Sequence, residues 1–516
     1  MIKRFLFIIK NNFAPIIILL ILVSLIYTVS SIIRSKHSVE KNSDVANDIV
    51  TKTTETMSGK EDINKEDIKE ESTEDIISEF ESENDVTHEN YVTHENELKQ
   101  WKKEYKKEQE TGSLEIEESI KPVNKDMIYL ATDIHYYSPT LTDYGDAFTD
   151  YMNMDDGKDI KDIEQVLDEW IKNVKMERPA VVIIPGDNTL NGEKKAHEEL
   201  AKKLQELQDD GITVLTVPGN HDINNPYSAT YIGDNKTFAE NIVTAEEFYE
   251  IYKNFGYNQS FSRDDSSLSY AYRYDDGRII IMLDSAVYEP GNKVYGTIKE
   301  KTLLWMEMIL KEAGSSPVIV SAHHNLLSES RLYTDEVTLT NNAEVIKLLK
   351  KYNVSLYLSG HLHLQRIREY KSEPGITDEN SLYEVVTGSF AMHPFPYGEI
   401  LWNSEGITYK RKCVDTDENL IQSGKDEFVR VYSIKIGRRI RNIPEYIKES
   451  IYKSYIRIIM AYVKGEIFDE KEFRESESYS YIERFIGDTD TTFEMEKMLK
   501  DTKADNTYLN IKYNDY

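Results

Sequence analysis

Hydrophobic positions divide the chain into three regimes. Residues 13–33 are one uncharged, mostly aliphatic block of 21 residues. Between 37 and 121 large apolar side chains are sparse and no period holds. From 127 onward short apolar runs alternate with amphipathic stretches, the pattern of a layered α/β domain. The runs at 127–131, 180–184, 212–217, 278–283, 318–322 and 354–358 predict strands. The stretches 159–176, 193–209, 244–255, 298–312 and 341–352 predict helices by their 3.6-residue apolar spacing. Beyond about 408 the pattern turns helical: 444–464 sets Ile447, Ile451, Tyr455, Ile458 and Tyr462 on one face, and 492–503 predicts another helix. Those side chains read as packing residues rather than as a ligand site.

The first regime is long enough, at about 30 Å as a helix, to cross a bilayer core. Lys3, Arg4 and Lys10 precede it, which keeps the short amino-terminal tail in the cytoplasm. The reading is an uncleaved anchor over 1–36, with a cleaved signal peptide ending near Thr28-Val29-Ser30 as the alternative. Either places the rest of the chain outside the cytoplasm: a single-pass membrane protein with an extracytoplasmic domain, or a secreted one.

Charge sharpens the second regime. Residues 37–121 hold 25 acids against 11 bases and a tandem repeat, Val86-Thr87-His88-Glu89-Asn90 and Val92-Thr93-His94-Glu95-Asn96. Such a segment buries too little surface to offset the entropy of ordering and reads as an acidic low-complexity tether. His88 and His94 read as incidental. The whole chain carries 92 acids and 62 bases, net -30, which disfavours general nucleic-acid binding. A single cysteine, Cys413, excludes an internal disulfide framework and cysteine-rich zinc modules.

Polar residues recur where the apolar runs stop. They are Asp133-Ile134-His135, Gly186-Asp187-Asn188, Gly219-Asn220-His221-Asp222, His323-His324 and Gly360-His361-Leu362-His363. Loops beyond strand carboxyl ends are where open α/β sheets place their sites. Carboxylate and amide oxygens with imidazole nitrogens suit Mn, Fe or Zn without thiolate. Each fragment alone is weak, but together they form an ordered set too large for one ion and suited to two. Asp143, Asp146, Asp150, Asp155 and Asp156 make the first insertion acidic, and it reads as a solvated loop.

This set resembles the calcineurin-like metallophosphoesterase family, whose signature D-x-H, G-D, G-N-H-[DE], H and G-H-x-H is matched over roughly 127–400. The resemblance implies a metallophosphoesterase-type β-sandwich flanked by helices over 122–408, followed by a mainly helical carboxy-terminal domain over 409–516. It implies that Asp133, His135, Asp187 and His363 hold one ion and that Asp187, Asn220, His323 and His361 hold the other. His221 would be the catalytic imidazole and Asp222 its orienting partner. The implied cofactors are two divalent or mixed-valence ions, Mn, Fe or Zn. They would generate a bridging hydroxide that attacks phosphorus in line. His324 and His393 are candidate substrate-pocket residues. Where many relatives continue His-His-Pro-Pro, this chain has Asn325-Leu326-Leu327.

The segments Asp133-Ile134-His135-Tyr136-Tyr137-Ser138-Pro139 and Gly219–Tyr227 also resemble exported class III cyclic nucleotide phosphodiesterase-like proteins. The expected activity is hydrolysis of a phosphodiester, with cyclic nucleotides as one substrate class. The alternatives are a surface phosphomonoesterase or nucleotidase, a hydrolase of envelope phosphodiesters, and a non-catalytic metal-bound surface module. Partners beyond the phosphoester and the membrane, and any oligomer, are not legible.

Overall fold

The computed structural model describes residues 122–513, apart from 335–336, 373–380, 441–442 and 488. The apolar block at 13–33, the acidic stretch 37–121 and the two histidines of its repeat lie outside the described residues. Among the described residues no helix is long and apolar enough to cross a membrane.

Two sheets make the frame. The first runs, edge to edge, Tyr508–Lys512, Gly406–Cys413, Pro396–Asn403, Asn124–Leu130, Pro179–Ile184 and Thr213–Thr216. Its last three strands are parallel, as strand–helix–strand units require, and the others are antiparallel. In the second sheet Ile279–Leu283, Val318–Ala322, Leu356–Ser359 and Tyr383–Val386 run parallel. Antiparallel strands flank them, Tyr270–Arg273 on one side and Arg366–Glu369 on the other.

Alternation along the second sheet splits its side chains between two cores. Ile280, Met282, Leu356 and Leu358 join Ile128, Leu130, Val182 and Ile184 of the first sheet in one cluster. Ile281, Leu283, Val320 and Tyr357 point the other way, against Trp305, Met306 and Ile309 of helix Glu300–Ala313 and Leu349 of helix Asn342–Lys351. The runs are apolar on both faces because both faces are covered. Helices Ile163–Glu177, Lys194–Asp209 and Ala245–Tyr252 form where the periodicity placed them. The expected layered α/β sandwich is therefore present.

The carboxy-terminal part is mainly helical, as expected, but strand pairing crosses the expected boundary at 408. Strand Gly406–Cys413 runs across position 408, and the last strand Tyr508–Lys512 pairs with it from Gly406↔Lys512 to Lys410↔Tyr508. Helices Glu418–Arg439, Glu445–Lys464 and Asp490–Asp501 are inserted between these two strands. They share a core with Leu362, Leu364 and Met392 of the loops beside the site. The boundary fails because an open sheet edge after 403 is completed by residues from the far end of the chain.

Candidate metal centre

Five of the seven parallel strands end in one of the polar motifs, so the sheets deliver them to one place. Asp133 and His135 follow Asn124–Leu130, Asp187 follows Pro179–Ile184, and Asn220 with His221 follows Thr213–Thr216. His323 follows Val318–Ala322, and His361 with His363 follows Leu356–Ser359. Five of these residues sit at positive φ: Asp133 at 53°, His135 at 46°, Asp187 at 48°, His361 at 67° and His363 at 55°. Left-handed backbone costs a non-glycine residue free energy, and the surrounding structure must enforce it. Here it turns each side chain off the strand direction and inward.

Two glycines make the close packing feasible. A Cβ on Gly360 would overlap the Asp133 carboxylate and the Thr132 hydroxyl, and one on Gly219 would overlap Asp187. Only hydrogen fits at these points.

The first group is Asp133, His135, Asp187 and His363. Nε2 of His135 and Nε2 of His363 are 3.0 Å apart, and His363 Nε2 is 3.2 Å from Asp133 Oδ1. Asp133 is fixed from outside the group: the His361 N–H donates to both its oxygens at 3.2 and 3.1 Å, and Thr132 Oγ1 donates at 2.8 Å. The second group centres on His323, His324 and His361. His323 Nε2 is 3.1 Å from Asn220 Oδ1 and 3.3 Å from Asp187 Oδ2. Asp187 Oδ2 also lies 3.8 Å from His135 Nε2. Asp187 therefore stands between the two groups, the place of a shared ligand.

The donor set fits divalent cations. Asp133 and Asp187 are buried carboxylates that converge with imidazole nitrogens, and buried charge of this kind is paired or bound to metal. Burial opposes ionisation of Asp187, but His323, His221 and His135 outweigh it and hold its carboxyl well below the usual range. Burial and His323 push His361 down to about 3, so its imidazole stays neutral, as a ligand must. Nδ1 of His135 and Nδ1 of His323 are buried without a hydrogen-bond partner.

His221 is placed differently. Its side chain is 29% exposed, against 0% for His135 and His323 and 12% for His363. Its Nδ1 is 2.5 Å from the Leu190 carbonyl, so that nitrogen carries the proton and donates it. Nε2 faces the rim of the site, 3.9 Å from Asp187 Oδ2.

Three expected roles change. The Nδ1 of His221, which Asp222 was expected to orient, meets the Leu190 carbonyl, and Asp222 is bonded elsewhere. Its carboxylate instead accepts from Gly219 N at 2.8 Å, Asn188 N at 3.1 Å and Thr189 N at 3.0 Å, stapling two ligand loops together. His324 is fully buried, with Nδ1 on Ser285 Oγ and Nε2 on the Val294 carbonyl, both at 2.9 Å. Its ring packs 4.5 Å from that of His361. His393 lines a small enclosed space with Gln365, Arg411 and Lys464, which contains none of the metal-ligand candidates.

The pattern of residues also missed partners. Asp156, read as part of a solvated loop, is hydrogen-bonded through Oδ2 to His363 Nδ1. Lys158 beside it is buried, with Nζ 2.6 Å from Asp156 Oδ1 and 3.1 Å from Asp155 Oδ2. Ser389 Oγ donates to the Asp133 carbonyl at 2.9 Å. The sole cue in the sequence was a lysine among acids, which surface loops also show.

Residues 127–365 match the calcineurin-like phosphoesterase family. Over 202 residues the chain is 26% identical to a 3',5'-cyclic-nucleotide phosphodiesterase of Nostoc sp., a match covering 39% of this chain and 62% of that protein. Over 196 residues it is 30% identical to a probable glycerophosphodiester phosphodiesterase of Arcobacter nitrofigilis, covering 37% and 59%. The chain thus spans under two thirds of the length of these curated relatives. A dimetal phosphatase from Danio rerio is a structural neighbour at TM-score 0.38 and 13% identity, covering 57% of this chain and 96% of that one. Taken with the ordered ligand motifs, the match means that the chain carries a calcineurin-like phosphoesterase domain over residues 127–365.

Proposed function

We propose that this protein is a metal-dependent hydrolase of phosphodiesters that works with two cations. Asp133, His135, Asp187 and His363 would hold one ion, and Asp187, Asn220, His323 and His361 the other. The observation that carries the reading is the shared position of Asp187 between two donor groups, with His221, 29% exposed, at their rim. Two divalent cations, when bound, supply an activated water and a clamp on the phosphoryl oxygens.

The residues of the chain have definite tasks around that chemistry. Asp133 and Asp187 concentrate negative charge where cations must sit. His221 keeps a proton on Nδ1 through the Leu190 carbonyl, so any proton it passes to a leaving oxygen leaves from Nε2. Burial lowers its pKa, with Lys158 and His363 adding to the effect against Asp187, which favours release of that proton. Diesters are the favoured substrates because the two curated relatives above are named as phosphodiesterases. Cyclic nucleotides and glycerophosphodiesters are the classes to screen first. The uncharged block at 13–33 supports an extracytoplasmic, membrane-tethered enzyme.

The test is an assay of bis(p-nitrophenyl) phosphate against p-nitrophenyl phosphate with Mn, Fe(II) or Zn. Turnover of the diester should require metal and should vanish in Asp187→Asn. In His221→Ala the rate should fall about 10²–10⁴-fold on a diester with an alkyl leaving group. It should fall less on p-nitrophenolate esters, which need little protonation. Preference for the monoester would reassign the protein as a phosphatase, and metal binding without turnover would make it a binding module.

A further inference from the structure

Among the candidate ligand histidines of the described residues, His363 differs in what holds its second nitrogen. Its Nε2 points into the site, and its Nδ1 meets the carboxylate of Asp156. In His135 and His323 the corresponding Nδ1 has no partner. A carboxylate on the outer nitrogen of a ligand imidazole keeps the proton there, leaves the inner nitrogen as a lone pair and fixes the plane of the ring.

Asp156 is itself braced. Lys158 Nζ lies between the Asp155 and Asp156 carboxylates, and Lys158 is only 5% exposed. The Asp156 N–H and the Lys158 N–H both donate to Asp155 Oδ1, at 2.7 and 3.2 Å, which closes the loop into a tight turn. Gly157, between them, adopts φ 96° and lies flat on helix Glu418–Arg439. A Cβ there would come within 3.2 Å of Phe428 Cδ2 and 3.4 Å of Tyr432 Cε2. The rings of Phe428 and Tyr432 pack on each other at 4.5 Å and belong to the core that also contains Leu362 and Leu364, on either side of His363. The helix thus shares a core with Leu362 and Leu364, on either side of His363, and packs against Gly157 next to Asp156.

We infer that Asp156 is a positioning residue for the cation site of Asp133, His135 and His363, and that helix Glu418–Arg439 holds Asp156 in register. The inserted helical segment is then part of the metal centre's support rather than an appended module. This rests on the proposed two-cation reading of the site. Asp156 has no contact with substrate in this scheme; it acts through His363.

The experiment is metal titration of the full chain by calorimetry with Mn²⁺, followed by the visible d–d spectrum with Co²⁺. Wild type should bind two ions. Asp156→Ala should weaken one of the two by about 10–100-fold and alter the Co²⁺ bands, leaving the other site near its original affinity. Asp156→Asn keeps an acceptor facing His363 Nδ1 and should recover most of that loss. Phe428→Ala should weaken the same site and spare the other. Metal-free Asp156→Ala should melt within about 2 °C of metal-free wild type, which separates positioning from folding. Two ions bound with unchanged affinity in Asp156→Ala would overturn the inference alone. A fall in metal-free stability that Asp156→Asn fails to repair would overturn it in favour of a structural role. A wild-type chain that binds no ion would overturn the two-cation reading and this inference with it.

Discussion

Single residues in this protein are placed by burial as much as by bonding. Asp159 illustrates the cost: it is 2% exposed, and its Oδ2 has no hydrogen-bond partner. Burial first, then Asp162 and Glu427, raise its pKa to about 7. A carboxyl raised in the folded state loses its proton more readily in the unfolded chain, so stability falls as pH rises from about 4 through about 7. Asp159→Asn removes that ionisation. It should stabilise the protein at pH 8 by up to about 4 kcal/mol and by much less at pH 5, measured by urea unfolding at both values. The same scale holds the largest revision of role. His221 and Asp222 are neighbours in sequence, yet one faces the rim and the other staples backbone N–H groups. Adjacency gave no information on that, because consecutive side chains in a turn diverge.

At the scale of elements, the strand ends matter more than the strands. Apolar runs such as 318–322 and 278–283 were legible because both faces of the second sheet are covered. The hairpin of Pro396–Asn403 and Gly406–Cys413 carries a turn signal, Asn403-Ser404-Glu405-Gly406. Helix Glu418–Arg439 was harder to see. Its buried positions include Gly424, pressed on the Phe395 ring, and its first turns are polar, so no simple apolar stripe marks it. The loop after Leu356–Ser359 yields a sharp test. In Gly360→Ala the new methyl must displace the Asp133 carboxylate or the Thr132 hydroxyl. A ligand moved by about 1 Å should cost roughly 10²-fold in turnover. Steady-state rates at saturating metal would show it, and near-wild-type turnover would mean the loop can yield.

At the scale of the molecule, the chain closes on itself. The strand Tyr508–Lys512 finishes the first sheet, and Ile447, Ile451, Ile458 and Tyr462 of helix Glu445–Lys464 share a core with loop residues beside His363. Each fully buried large apolar side chain is worth about 1.5–3 kcal/mol, against a typical net stability of about 5–15 kcal/mol for a domain. A chain cut after Cys413 should therefore fail to fold cooperatively, although it retains every candidate ligand. Thermal melts of the cut chain and of residues 122–516 would decide it; a sharp transition in the cut chain would show that the phosphoesterase portion stands alone.

The sequence by itself determined which residue types are available for chemistry, and in what order. Metal ligands are short polar motifs tied to strand ends, and both the strand pattern and the motif chemistry are local. It therefore specified the α/β class, the ligand candidates from Asp133 to His363 and the family resemblance. The tertiary structure decided relations between distant residues. It placed Asp187 between two groups, buried His324, moved His393 to a separate space and gave Asp222 its backbone partners. It also joined Asp156 to His363 across 207 positions. Periodicity measures which face of an element is covered, not what covers it, so a carboxylate in an acidic loop looks the same whether it meets water or a histidine.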